Sequence, residues 1–269
     1  MSNKQLKETD YKALVIDWLL NKGQLNNESV LINELPVSNF KRRADLVVVN
    51  GTLHAIEIKS DTDNLYRLDG QIKTYLDFFD KVTLICSSKF TEKAKNILPK
   101  EVSIVELKYK NNSPQFIIKN RGKIVRVTDC KKYLSFVDKQ SIKRFLKNEG
   151  IEFQSDISRN GLYEKISMIP QNRWQLFVTD YLKAKYKSTY DKFIINRKSK
   201  TRNFDLKNLS PNKNPDCKDN ANQEYIEWPQ SEYTSRIKEN ESVNFIDVTK
   251  RFSRSGFNPN GKVKVIPRK

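Results

Sequence analysis

Two acids and a lysine stand at a spacing suited to phosphodiester chemistry: Asp45, eleven intervening residues, then Glu57-Ile58-Lys59. The stretch between them reads as two β-strands, dense in Val and Ile, joined at Asn50-Gly51, the strongest short hairpin signal. Side chains alternate faces along a strand, so Glu57 and Lys59 point the same way. Asp45 joins them only in one register. A two-residue Asn50-Gly51 turn pairs Asp45 with Ile56 and sends Glu57 to the opposite face, so a three-residue loop or a β-bulge is expected. Converging there, Asp45 and Glu57 suit Mg²⁺ (or Mn²⁺) as hard oxygen donors, with the Ile58 carbonyl as a third ligand. The Lys59 ammonium beside them suits orientation of an attacking water and stabilisation of charge on the phosphate.

Two further features extend this set. Upstream, residues 30–37 read as a strand carrying another carboxylate, Glu34, suited to support the first metal or bind a second. Downstream, residues 68–79 form an amphipathic helix on which Gln71 and Tyr75, four apart, share a face. In that order, Glu34, Asp45, Glu57, Lys59, Gln71 and Tyr75 resemble the PD-(D/E)xK nuclease superfamily, specifically its RecB-like branch. The resemblance spans roughly residues 30–107, and Ala44 replaces the motif's proline. It is also similar to small, mostly uncharacterised bacterial and phage nuclease-like proteins. The resemblance implies a restriction-endonuclease-like core, Mg²⁺-dependent hydrolysis of DNA, and Gln71 and Tyr75 lining the site and contacting nucleic acid. Arg67, on the side of Gln71, and Arg43, next to Asp45, are the expected phosphate contacts.

The elements that must position these residues follow from periodicity. Residues 7–23 read as a first helix, with Leu14, Val15, Trp18 and Leu19 at helical spacing and Gly23 at the C-cap. Strands are expected at 81–86 and 102–107, with helical turns over 91–98 between them. This β-β-β-α-β-α-β order predicts an α/β fold with a mixed central β-sheet flanked by helices. Residues 115–119 and 123–127 read as a hairpin finishing the first domain. Residues 141–150 and those from Ser158 on resemble the helix pair of an SAP-like DNA-binding motif. Residues 173–193 form a longer helix with Trp174, Phe177, Val178, Tyr181, Leu182 and Tyr186 along one stripe. The expected division is a nuclease-like core over 1–110, a basic, mainly helical nucleic-acid-binding region over 111–195, and a polar, basic and partly irregular tail over 196–269.

Net charge is +18 over 269 residues, nearly all of it C-terminal to residue 110, which points to a polyanionic partner. DNA is the expected partner, with RNA as the alternative and a protein partner or a homo-oligomer left open. The three cysteines are widely spaced and form no metal or disulfide framework. The single histidine, His54, falls on the face opposite the acids, which argues against histidine-dependent hydrolysis. No apolar run is long enough to cross a bilayer, so a cytoplasmic protein is expected. Two rival readings share the fold: a non-catalytic nucleic-acid-binding adaptor and an RNase.

Overall fold

The computed structural model describes residues 6–110 and 113–209, together with two short strands at 245–246 and 263–264. The first compact unit is α/β, built on a six-stranded mixed sheet whose strands lie in sequence order. A first helix, α1 (Glu8–Asn21), precedes three strands, β1 (Val30–Val37), β2 (Arg42–Val49) and β3 (Leu53–Lys59), which pair antiparallel in succession. From β3 the sheet turns parallel, because α2 (Leu68–Phe78) and α3 (Ser88–Ile97) carry the chain back to start β4 (Lys81–Ser87) and β5 (Ser103–Lys110). All seven residues of β3 are buried, as a central strand flanked by neighbours on both sides requires. Leu53, Ala55, Ile56 and Ile58 are the apolar residues of that strand; His54, Glu57 and Lys59 are its polar exceptions.

The sheet continues past residue 110, so the expected domain boundary falls inside a hairpin. β6 (Ser113–Asn120) pairs antiparallel with β5 and forms the sheet edge. The second run, 123–127, is not its hairpin partner. It is an extended segment pinned to the sheet's loops: Lys123 N–H donates to the Glu101 carbonyl at 2.9 Å and Val125 N–H to the Asp80 carbonyl at 2.8 Å. Gly122 makes that approach possible, since at φ 63° a Cβ would lie 2.5 Å from Ser103 N. Alternation over five residues cannot separate a strand from such a segment.

Beyond it come α4 (Cys130–Tyr133), α5 (Lys139–Asn148), α6 (Arg159–Ile166) and α7 (Gln171–Asn196). The stripe of α7 is buried as expected, with Phe177 stacked on Phe145 at 4.2 Å and Trp174 edge-on to Tyr133 at 5.6 Å. α5 and α6 pack on each other where the helix pair was expected, and α7 packs on β1 and β2. Residues 197–209 of the expected tail pack back on the preceding elements. Arg197 and Thr201 bind Asp17 of α1, at 2.6 Å for both the guanidinium and the Thr201 hydroxyl, and residues 205–209 form a 3-10 turn with Leu206 and Leu209 buried. Long-range pairing of this kind leaves no local periodicity to read.

In the second unit, β7 (Phe245–Ile246) pairs antiparallel with β8 (Val263–Lys264). The rest of the polar tail lies outside the described residues. Among the described residues no helix is long and apolar enough to cross a membrane.

Candidate active site

The β2–β3 hairpin has the register that brings its acids together. Val49 pairs with Leu53, leaving residues 50–52 as a three-residue loop, and the pairing of Leu46 with Ile56 sets Asp45 opposite Glu57. On the other side, the pairs Asn33–Leu46 and Leu35–Ala44 set Glu34 opposite Asp45. Three adjacent strands therefore carry one carboxylate each at the same level. Glu34 interrupts its ladder with φ 60°, a conformation that a non-glycine residue adopts only under constraint from its surroundings.

Glu57 is the most heavily coordinated of the three. Its Oε1 accepts from Lys59 Nζ at 2.6 Å and from Gln71 Nε2 at 2.5 Å, while Oε2 accepts from the Tyr75 hydroxyl at 2.9 Å. The expected helical face of α2 is thus the one that grips Glu57. The Tyr75 hydroxyl also reaches the Arg43 carbonyl at 2.7 Å, tying β2 to the same point. Asp45 Oδ2 accepts the Ile58 backbone N–H at 2.7 Å. Glu34 is engaged by Lys12 and Arg43, each at 3.4 Å. The Arg43 side chain is more than half exposed, and Arg67 is exposed just ahead of α2. His54 lies on the other face of β3, hydrogen-bonded to the Thr83 hydroxyl at 2.8 Å.

Burial and the nearby Glu57 charge hold the Asp45 carboxyl well above the usual carboxylate range, and Lys12 only partly offsets them. Burial and the same carboxylates keep the Tyr75 hydroxyl protonated, so it acts as a donor. Burial alone would lower Lys12, but Asp45, Glu8 and Glu34 outweigh it and hold the ammonium charged.

A family model described as Bacteriophage P4 protein cII matches residues 1–210. The chain belongs to that family. Protein cII of Enterobacteria phage P4 is 38% identical over 189 residues, which are 70% of this chain and 71% of that protein. Among solved structures, a protein of unknown function from Silicibacter pomeroyi aligns over 49% of this chain and 86% of its own length. That alignment has 16% identity and a TM-score of 0.28, too slight to carry an argument.

Lys12 is the residue of this cII-family site that sequence reasoning missed. Its side chain is 3% exposed, and its ammonium lies 2.8 Å from Glu8, 3.4 Å from Glu34 and 4.0 Å from Asp45. One signal was available. Lys12 sits on the buried stripe of α1 with Val15, Ile16 and Leu19, a place for an apolar residue unless its charge has partners.

The donor chemistry of the cII-family chain fits a hard divalent cation. Asp45 and Glu57 converge closely enough for the charge on one to raise the proton affinity of the other, a repulsion that a cation relieves. Gln71 Oε1 is a buried acceptor with no hydrogen-bond partner, and its own amide nitrogen is already bound to Glu57. The expected ligand set is nevertheless reduced. Among the described residues no group of three or more His, Cys, Asp or Glu side chains is placed to hold a metal. Glu34 is turned to Lys12 and Arg43 instead, because its left-handed backbone breaks the strand geometry that would aim it at the other two.

Proposed function

We propose that the protein is a metal-dependent nuclease of the PD-(D/E)xK type that hydrolyses DNA. The observation that carries this reading is the convergence of Asp45, Glu57 and Lys59 on one sheet face, with Gln71 and Tyr75 both bound to Glu57. The order of these residues along the chain matches the superfamily motif, and the charge of +18 suits a polyanionic substrate. Asp45, Glu57 and the Ile58 carbonyl would hold the cation, Mg²⁺ or Mn²⁺. When bound, it supplies Lewis-acid polarisation of the scissile phosphate.

The remaining work belongs to the chain's own groups. Lys59, tethered to Glu57, orients the attacking water and stabilises charge on the phosphate. Gln71 and Tyr75 lock the Glu57 carboxylate by donating to both of its oxygens, which fixes where its negative charge points. Arg43 and Arg67 hold phosphates at the edge of the site. The phage setting of the family suits an enzyme of DNA processing, repair or defence.

A second reading rests on Lys12. An ammonium already lies among Glu8, Glu34 and Asp45, and a resident cation of this kind suits a nucleic-acid-binding adaptor that keeps the fold without the chemistry. One experiment separates the readings. Purified protein is incubated with linear, circular and single-stranded DNA and with RNA, in Mg²⁺, Mn²⁺ or EDTA, beside Asp45→Ala and Lys59→Ala. Metal-dependent cutting that both substitutions abolish supports the enzyme, and RNA cut in preference to DNA makes it an RNase. Salt-sensitive binding with no cutting in either metal favours the adaptor.

A further inference from the structure

We propose that the tip of the β1–β2 hairpin and the loop leading into α2 form an aromatic and cationic rim that stacks on the unpaired bases of single-stranded nucleic acid. The inference rests on the nucleic-acid reading above and deepens it by naming the form of substrate the site admits.

The first observation is a strained turn. Lys41 N–H donates to the Ser38 carbonyl at 3.2 Å, and Ser38, Asn39 and Phe40 have φ of 53°, 52° and 66°. Asparagine tolerates that region and glycine is its default, but a bulky side chain there is an outlier. Burial does not offset the strain, because Phe40 is 84% exposed. An aromatic ring held in water on a left-handed backbone is unfavourable on both counts, the pattern expected of a residue kept for contact with something else.

The second observation is another exposed ring on the neighbouring loop. Tyr66 is 95% exposed, with its backbone N–H fixed by Asn64 Oδ1 at 3.1 Å. The two segments meet: the Arg42 guanidinium lies 3.1 Å from the position a Cβ on Gly70, in the first turn of α2, would take. Lys41 and Arg43 follow Phe40 in the chain and Arg67 follows Tyr66, all three exposed, and Asp69 is already paired with Lys73 at 2.8 Å. The rim also touches the site, since the Arg43 carbonyl accepts the Tyr75 hydroxyl that holds Glu57.

Exposed flat rings among cations match the chemistry of a single strand, whose phosphates meet the cations while its bases stack on the rings. A duplex already spends its base faces on its own neighbours. The rim therefore selects for single-stranded or frayed substrate over intact duplex.

The test uses the full chain in EDTA, so that no substrate is consumed, with a single-stranded oligonucleotide carrying 2-aminopurine and a duplex of the same sequence. The expected result is a change in 2-aminopurine emission on binding to wild type. Phe40→Ala and Tyr66→Ala each weaken single-strand binding by about tenfold, in line with loss of one stacked base, while duplex binding moves by less than about twofold. Phe40→Trp restores the single-strand affinity. Phe40→Gly, which relieves the backbone, raises the melting temperature yet still loses the stacking. Wild-type single-strand affinity in Phe40→Ala overturns the rim, as does an equal loss on both substrates. Either result leaves the nuclease reading intact if the wild type still cuts in Mg²⁺. A wild type that binds neither oligonucleotide overturns the rim, and only failure to cut in Mg²⁺ and in Mn²⁺ overturns the nuclease reading.

Discussion

The two ends of β3 each carry a buried carboxylate site, and they are built on opposite principles. At the N-terminal end, Asp80 has a side chain with no exposed surface and is surrounded by donors. Its Oδ2 accepts from Leu53 N–H at 2.9 Å, the Tyr133 hydroxyl at 2.7 Å and Arg126 at 3.4 Å, while Oδ1 accepts from Val127 N–H at 3.2 Å. At the C-terminal end, Asp45 receives one backbone N–H and a lysine at 4.0 Å, and it faces a second carboxylate. The first site satisfies a buried charge and joins the sheet to residues 125–133. The second leaves repulsion in place, which a purely structural site would have no reason to retain. The same strand is a fastening at one end and a poised surface at the other.

The comparison predicts its largest effect at the fastening. Asp80→Ala leaves three buried donors and a half-exposed guanidinium without their acceptor and should cost about 3–5 kcal/mol, at about 1–3 kcal/mol for each buried group left unsatisfied. At about 2–4 °C per kcal/mol, thermal denaturation should show a fall of at least several degrees. Lys59→Met should act the other way, lowering cleavage by about 10²–10³ with the circular dichroism spectrum unchanged. Equal loss of stability from both changes would erase the distinction between the two ends.

Acidity sharpens it further. Because Asp45 holds its proton above the usual carboxylate range, the folded state binds more protons than the unfolded one, and stability falls as pH rises from about 4 through that raised value. Asp45→Asn should therefore raise the melting temperature at neutral pH while abolishing cleavage. His54 behaves oppositely, since burial and Lys81 push it down to about 3. The unfolded chain takes up that proton below about 6.5, so His54 costs stability as pH falls from 6.5 towards 3. His54→Gln should flatten this acid limb. Melting temperature against pH thus shifts its optimum upward in the first variant and downward in the second. The smallest effect is expected from Tyr75→Phe, about 1 kcal/mol of stability and a several-fold loss of cleavage, as Glu57 loses one of three donors.

What the sequence made legible was the part governed by short-range rules. Strand alternation and the Asn50-Gly51 turn placed Asp45 against Glu57 through the requirement for a three-residue loop, and helical spacing put Gln71 and Tyr75 on the face that meets Glu57. Lys12 escaped because a lysine in a helix is ordinarily solvated; only its place in an apolar stripe hinted otherwise. Glu34 was placed on its strand and expected at the metal, but not in its left-handed conformation, which no pattern of residue types announces. The Asp80 and Asp17 sites escaped for a different reason: their partners lie 27 to 184 residues away in the chain.

The Asp17 pairing has a consequence for how this protein can be divided. The chain after α7 returns to clasp α1 through Arg197 and Thr201, and Leu206 and Leu209 are buried just beyond. The family model ends at residue 210. The stretch matched by the family model thus contains a closed loop, in which a segment made after α7 secures the first helix. A chain stopped at residue 196 would release α1, and with it the lysine that lies among the acids. One stopped at residue 210 would keep both, so trimming this module has to spare residues 197–209.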